Sequence, residues 1–218
     1  VGNESKRDHE RNDSKSHYER IRTRVVKDPA ERKREILDGA MELFATKGYE
    51  QTSMRDIARH LNISLGLCYR YYDSKQKLFQ EAMQQYVEDI CAAYFIILHD
   101  ETRDLTEKLD LLFHMLEEEE QQMRYHDFFH QPENIGFHEE LAVKLCKYMQ
   151  PHLQQELQRY AKQNHLKIQH EELLLSFLTY GQIGIHASVS SPDTQQLHQL
   201  RVYIDLLLKQ ECIPDDTI

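Results

Sequence analysis

The segment TSMRDIARHLNISLGLCYRYYDSKQKLF, residues 52–79, is the most informative part of this chain. It contains two short helical patterns joined by a polar turn at Asn62-Ile63-Ser64. A helix-turn-helix needs such a short corner, because the first helix braces the second while the second enters the major groove of DNA. The segment therefore predicts a helix-turn-helix of the DNA-binding type.

The charge distribution supports this interpretation once the chain is divided. Residues 1–80 carry 17 Lys+Arg and 13 Asp+Glu, whereas residues 81–218 carry 10 and 24. The overall net charge of −10 therefore conceals a basic amino-terminal region. Such a distribution is typical of a protein that binds the phosphates of a nucleic acid at one end. Residues 1–27 are polar and charged, and we predict a disordered tail whose arginines are candidates for phosphate contacts.

Composition favours helices over sheet, because the chain has only 7 Gly and 5 Pro. Its longest apolar run, residues 90–98, is far shorter than the roughly 20 residues of a membrane span. No signal segment is recognisable, and we expect a soluble, cytoplasmic protein without a membrane partner. The cysteines are dispersed and lack C-x-x-C spacing, so we interpret them as thiols in a reducing compartment.

The fold class predicted is all-α. Asp28 and Pro29 suit the start of a first helix with Glu31 as the acid of a capping box, and Gly48 suits its end. Further helices are predicted to begin after Ser53, Ser64 and Ser74, and helical patterns recur at residues 105–115, 141–161, 173–187 and 197–208. No stretch shows convincing strand alternation. Three regions follow: a tail at 1–27, a helix-turn-helix domain at 28–74 and a larger helical domain at 75–218, to which the resemblance described below assigns ligand binding and dimerisation.

The last two helical patterns are unusually apolar. A two-fold dimer face explains two such helices at the end of a chain, with small residues allowing close approach, whereas the open alternative is an internal core pair. The predicted dimer residues are Leu174, Phe177, Gly181, Gly184, Ile185, Ser188, Leu197, Leu200, Ile204, Leu207 and Leu208.

Aromatic and imidazole side chains in the acidic body are candidates for the wall of a ligand cavity. They are Tyr86, Tyr94, Phe113, Phe129, His130, Tyr148 and Phe177, for which core packing is the alternative. His126 and His130 are four residues apart, a spacing that metal sites use, but chance pairs are expected among 13 histidines and no metal is predicted. The chain has no phosphate-binding glycine loop and no nucleophile elbow, so an enzyme is not expected and no cofactor is predicted.

The helix-turn-helix resembles the signature of TetR-type (tetracycline-repressor-like) transcriptional regulators. The resemblance rests on Thr52-Ser53-x-Arg55-Asp56-Ile57-Ala58 and on Ile63-Ser64-x-Gly66-x-x-Tyr69-x-Tyr71-Tyr72-x-Ser74-Lys75-x-x-Leu78. It covers about 50 residues; Cys68 departs from the pattern, which usually has a larger aliphatic residue there. The resemblance implies an all-helical homodimer with an amino-terminal DNA reader and a carboxy-terminal domain that binds a small ligand.

Roles in DNA recognition follow from side-chain chemistry. Arg55 and Arg70 are the long donors placed to reach base edges, Leu65 and Leu67 suit thymine methyl groups, and Gly66 suits a close approach of the backbone. Phosphate contacts are predicted for Thr52, Ser53, Ser64, Tyr69, Tyr71 and Lys75. The alternative is a helix-turn-helix that never touches DNA.

The function predicted is a repressor that a small-molecule ligand releases from a palindromic operator. The long helix that begins at Lys75 is the predicted link between ligand and reader. The alternative is a coactivator or adaptor of the same fold that responds to a protein partner.

Overall fold

The computed structural model of the protein describes residues 27–119, 123–186 and 192–215. By packing, the chain divides into one unit that ends at Glu35 and a second that begins at Ile36. The predicted tail, apart from Lys27, lies outside the described residues, and so does Ser188 of the predicted dimer face.

The described part of the first unit, residues 27–35, contains the start of helix α1 (Pro29–Lys47). The Asp28 carboxylate accepts a hydrogen bond from the backbone N–H of Ala30 at 2.8 Å, which confirms the predicted start. Glu31 is 3.7 Å from the Lys27 ammonium, so this acid forms an i,i+4 ion pair instead of the predicted capping box.

The second unit opens with the rest of α1 and the helix-turn-helix, α2 (Met54–His60) and α3 (Leu65–Tyr71). Gly48 follows α1 with φ of +91°, a conformation in which a side chain is strained. Ser53 and Asp56 form a capping box at the predicted start of α2, and Ser64 caps α3. These local signals are read correctly from the sequence because each depends on residues at most three apart.

One hydrophobic cluster holds these helices together. Its centre includes Phe44, Ile57, Cys68 and Tyr72, each at most 1 % exposed. The same cluster continues through the next helix, α4 (Lys75–Leu98), as far as Leu141. The boundary predicted between residues 74 and 75 is therefore crossed by a continuous core.

The remaining helices complete the fold. In chain order they are α5 (Leu105–Glu119), α6 (His126–Phe129), a 3₁₀ turn (Pro132–Asn134), α7 (Ile135–Gln163), α8 (Glu171–Leu178), a second 3₁₀ turn (Tyr180–Gln182), α9 (Ile183–His186) and α10 (Thr194–Glu211). Pro151 lies inside α7, as predicted, but that helix begins six residues earlier than predicted. The helix predicted at 173–187 is broken at Thr179, whose φ and ψ of −117° and −87° are not helical.

Two short strands correct the expectation of an entirely helical chain. Strands β1 (Leu166–Ile168) and β2 (Cys212–Pro214) pair in antiparallel register, with Lys167 opposite Ile213. Three residues are too few to show an alternating pattern, and the pairing joins segments more than 40 residues apart, so the sequence offered no signal. The fold remains all-α in class.

A second hydrophobic cluster lies among α5, α7, α8 and α10. It includes Leu105, Leu157, Leu174, Leu200 and Ile204. The predicted dimer residues Leu174, Leu197, Leu200 and Ile204 are all buried within the chain, so the alternative of an internal core pair holds for them. They are buried because the apolar sides of α8 and α10 face α5 and α7.

None of the described helices combines the length and the apolar character that crossing a membrane requires.

Candidate DNA-binding surface and ligand cavity

Helix α3 separates an inner from an outer side. Cys68 is buried, whereas Tyr69 is 48 % exposed and Arg70 is exposed. The guanidinium of Arg70 lies 5.7 Å from the centre of the Tyr71 ring, which is itself partly buried against the core. The buried side of α3 thus holds the helix in place, and its other side leaves Tyr69 and Arg70 accessible from outside the chain.

Gly66 is exposed on α3 and has open space around it. A Cβ placed on this residue meets no atom of the chain within 4 Å, and its φ is not in the positive range. Neither packing nor backbone conformation within the chain therefore requires glycine here. An outside surface that approaches the helix closely would explain it.

The other residues predicted to contact bases differ in how exposed their side chains are. Arg55 is exposed on α2. Leu65 and Leu67 are partly buried, and Leu65 packs against the core cluster.

The hydroxyl groups predicted for phosphate contact are used in caps. Ser64 Oγ accepts from the N–H of Leu67 at 3.1 Å. Ser53 Oγ accepts from the N–H of Asp56 and donates to its carboxylate at 2.6 Å. That bond, with hydrogen bonds from Lys47 and from the Ser53 N–H, holds the pKa of Asp56 well below its usual range. Both serines are exposed, so their other faces stay accessible.

Thr52 is buried and Lys75 is partly exposed, although phosphate contacts are predicted for both. Thr52 is 1 % exposed and its hydroxyl donates to the Gly48 carbonyl at 2.8 Å. The Lys75 ammonium donates to the Tyr49 carbonyl at 2.9 Å and lies 4.2 Å from the centre of the Tyr49 ring. Both residues fix the corner between α1 and α2, a tertiary role that spacing alone does not show.

A cavity of about 260 Å³ lies among α4, α6, α7 and the segment around Thr179. Four of the seven predicted wall residues line it: Tyr86, Tyr94, Phe129 and His130. The other three lie elsewhere. Phe113 packs against the second hydrophobic cluster, Tyr148 packs on Phe95 at 5.5 Å between ring centres, and Phe177 is 54 % exposed.

Sequence reasoning missed several polar wall residues, among them Cys91, His126, His138, Cys146 and Thr179. Cys91 precedes the predicted wall residue Tyr94 by three positions, so helical periodicity along α4 was a usable signal for it. His138 carried no such signal, because its segment was not predicted to be helical. Burial raises the pKa of the Cys91 thiol to about 12, with a contribution from nearby Cys146.

A chain of polar contacts runs from the cavity wall to the helix-turn-helix. The Tyr86 hydroxyl donates to the Arg124 carbonyl. The Arg124 guanidinium binds the Glu42 carboxylate on α1 at 2.7 Å, and the same carboxylate is 3.2 Å from the His60 ring on α2. Arg124 is thus connected by polar contacts to the cavity wall and, through Glu42, to both α1 and α2.

The outer sides of α8, the following 3₁₀ turn and α10 expose large apolar side chains. We call this the apolar face; it comprises Leu173, Phe177, Tyr180, Val202, Tyr203 and Leu206, each at least 37 % exposed. Of the predicted dimer residues, Phe177, Gly181 and Gly184 are exposed, and Ile185, Leu207 and Leu208 are partly buried.

Among the residues that the structure describes, no group of three or more His, Cys, Asp or Glu side chains is arranged to hold a metal ion.

Comparison with known proteins finds similarity in the amino-terminal part of the chain. Residues 36–82 match the profile described as bacterial regulatory proteins of the tetR family. Over 84 residues the chain is 31% identical to the biofilm-operon negative transcriptional regulator IcaR of Staphylococcus epidermidis, and over 85 residues it is 35% identical to the transcriptional repressor KstR2 of Mycolicibacterium smegmatis. Those matches cover 38% and 39% of this chain, and they span less than half of each relative, 43% and 41%.

Solved structures share the fold over more of the chain. Salmonella enterica GusR superposes with a TM-score of 0.61 at 18% identity, covering 84% of this chain and 98% of GusR. A structure described as a TetR-family regulator from Mesorhizobium loti gives 0.57 at 16% identity, covering 84% and 96%. The matched amino-terminal segment and its helix-turn-helix are therefore similar to those of the tetR family, and the helical fold that follows is shared with these solved structures.

Proposed function

We propose that the protein is a DNA-binding transcriptional repressor that a small-molecule ligand releases from a palindromic operator. The observation that carries the proposal is the outer side of α3, where Tyr69, Arg70 and an unobstructed Gly66 lie exposed beside each other on a helix anchored by Cys68. Negative control is supported by the relatives IcaR and KstR2, which are described as a negative regulator and a repressor. Residues 28–74 would be the reader, and residues 75–218 the domain for ligand and dimer.

A palindromic operator requires two copies of the reader related by a two-fold axis. We assign the dimer contact to the apolar face, because Leu173, Phe177, Tyr203 and Leu206 are each more than half exposed. This contact leaves out four of the predicted dimer residues, because they are buried in the internal core: Leu174, Leu197, Leu200 and Ile204. Gly181 and Gly184 stay in the proposal, since both are exposed next to this face.

The ligand is proposed to occupy the cavity beside α4 and α6. Release from DNA requires only that the ligand prefer one of two conformations of the protein. The contacts of Arg124 with Tyr86 and Glu42 supply a route from the cavity to α1 that does not depend on α4 alone. The existence of this cavity favours a small molecule over the alternative of a protein partner.

Selection of bound duplexes from a random pool tests the proposal. We expect an enriched palindrome bound by two protein copies, and affinity that falls as salt rises because phosphates are neutralised. Repetition with Arg70→Ala is expected to relax the preference at one base pair per half-site and to weaken binding by about 1–3 kcal/mol. Enrichment of no sequence over bulk competitor DNA at moderate salt would refute the function.

A further inference from the structure

Three histidine rings meet at one end of the cavity. The rings of His126 and His130 stack with their centres 3.9 Å apart, and His138 lies 4.3 Å from His130. All three line the cavity, and His138 is 7 % exposed. We call this end the histidine pole.

The remainder of the wall is uncharged. Among the residues that the structure describes, no Lys, Arg, Asp or Glu lines the cavity, and most of its lining is aliphatic, aromatic or thioether. The thiols of Cys91 and Cys146 stay protonated at neutral pH, because burial raises their pKa to about 12 and about 11. Imidazole is therefore the kind of side chain in this wall whose charge changes near neutral pH.

Hydrogen bonding fixes which nitrogen of His130 takes up a second proton. Its Nδ1 is 3.0 Å from the carbonyl oxygen of His126, and a carbonyl only accepts, so Nδ1 carries the hydrogen. The second proton then goes to Nε2. A protonated imidazole is a donor suited to a carboxylate, and the same bond forms when a carboxylic acid donates to the neutral ring.

We propose that the cavity binds a compact, apolar organic acid whose carboxylate lies at the histidine pole. The inference rests on the proposed role of this cavity as the effector site and names the chemical class of the effector. A carboxylate is costly to bury in an apolar cavity unless it is paired, and the histidine pole supplies the pairing group. A cavity of about 150 Å³ holds one benzene, so about 260 Å³ suits an acid of about ten carbon atoms, as a ring with a short chain, a two-ring system or a folded chain.

Proton uptake is the signature of this arrangement. Burial in the cavity wall lowers the pKa of His130, and the neighbouring His126 lowers it further, while the hydrogen bond to the His126 carbonyl and the charge of Asp127 raise it. His138 faces the same ring from α7. A bound carboxylate raises the pKa, so between the two values the complex holds one more proton than its free components. Affinity for the acid therefore increases as pH falls through that window, and levels off below it.

Titration calorimetry of the purified protein tests the proposal with three acids, phenylbutanoic, naphthoic and decanoic acid, each beside its methyl ester. At least one acid is expected to bind about tenfold more tightly than its ester at pH 6.5. Its dissociation constant is expected to rise by up to about tenfold per pH unit towards pH 8, while that of the ester stays constant. Buffers of different ionisation enthalpy will report uptake of about one proton for the acid only.

Variants separate recognition from packing. His130→Gln is expected to abolish proton uptake and to bring the acid and ester affinities within about twofold, while ester binding shows that the cavity is intact. His114→Gln is the matched control, because His114 is a mainly exposed residue of α5 outside the cavity wall. Failure of all three acids to bind, equal affinity for acid and ester, or uptake that persists in His130→Gln would overturn the proposal.

The outcomes also distinguish this inference from the proposed function. Operator selection that succeeds while the acids fail to bind contradicts the effector class alone. Acid binding with proton uptake, in a protein that enriches no duplex, contradicts the repressor and leaves the acid site standing.

Discussion

Gly66 is a residue whose identity the contacts within the chain do not explain, whereas a close approach of DNA would explain it. Replacement by alanine introduces a Cβ that touches nothing in the protein. Alanine is also the better helix former, by up to about 1 kcal/mol. We therefore predict that Gly66→Ala keeps or raises the melting temperature while weakening operator binding by at least about tenfold, as measured by fluorescence anisotropy.

A matched glycine provides the control for that prediction. Gly136 lies in the first turn of α7, is exposed, and also has nothing within 4 Å of a built Cβ. Gly136→Ala is expected to leave operator affinity within about twofold of the wild type, since surface changes away from special features have small effects. Equal affinity of Gly66→Ala and wild type would contradict a close approach of DNA at α3.

At the element scale, α5 and α7 are joined by a buried ion pair. Lys108 has no exposed side-chain area, and its ammonium donates to Glu156 at 2.9 Å and to the Leu98 carbonyl at 2.7 Å. Glu156→Gln is expected to destabilise the fold by about 3–5 kcal/mol, because it leaves the Lys108 charge uncompensated. Urea unfolding measures the loss. Lys77→Gln, which removes the exposed ion pair with Glu81, is the control and is expected to change stability by less than about 1 kcal/mol.

The same pair sets a direction for stability against pH. Burial by itself raises the pKa of Glu156, but hydrogen bonds from Arg159 and Lys108 outweigh it and the net pKa is lowered. A carboxyl with a lowered folded-state pKa contributes stability above its unfolded value of about 4.3, and this is lost as pH falls through the folded value. The stability gap between wild type and Glu156→Gln should therefore narrow below about pH 4. A gap that stays constant there would contradict the assignment.

Coupling between elements is tested at Arg124. Its ion pair with Glu42 is about half exposed, so Arg124→Gln is expected to cost no more than about 1 kcal/mol of stability. If the pair transmits the ligand signal, the ratio of operator affinities without and with a releasing ligand should fall several-fold towards one. Anisotropy titrations measure the ratio. Arg103→Gln, which removes a pair with Asp100 at 2.9 Å, should leave the ratio unchanged, and an equal effect of both variants would contradict the route.

For the whole molecule, the apolar face predicts the assembly. Tyr203 is 56 % exposed, so Tyr203→Asp introduces charge without disturbing the core. We expect this variant to sediment as a monomer with a normal melting profile, and to lose at least about tenfold in operator affinity because only one half-site is held. Ile96→Asp changes an even more exposed apolar residue on α4, 77 % exposed, and should remain dimeric. A dimeric Tyr203→Asp would place the interface elsewhere.

The amino-acid sequence by itself determined the helical class, the positions of the helix-turn-helix and its serine caps, and the resemblance of the helix-turn-helix to TetR-type regulators. These features depend on contacts between residues near each other in the chain. The roles of Ser53, Ser64 and Gly48 can therefore be predicted from their immediate sequence neighbours. Only the tertiary structure decided which side of α8 and α10 is buried, that Thr52 and Lys75 fix a corner, and that His138 joins His126 and His130. Those outcomes depend on which helix packs against which, and an apolar stripe has the same pattern whether it faces its own core or a second copy.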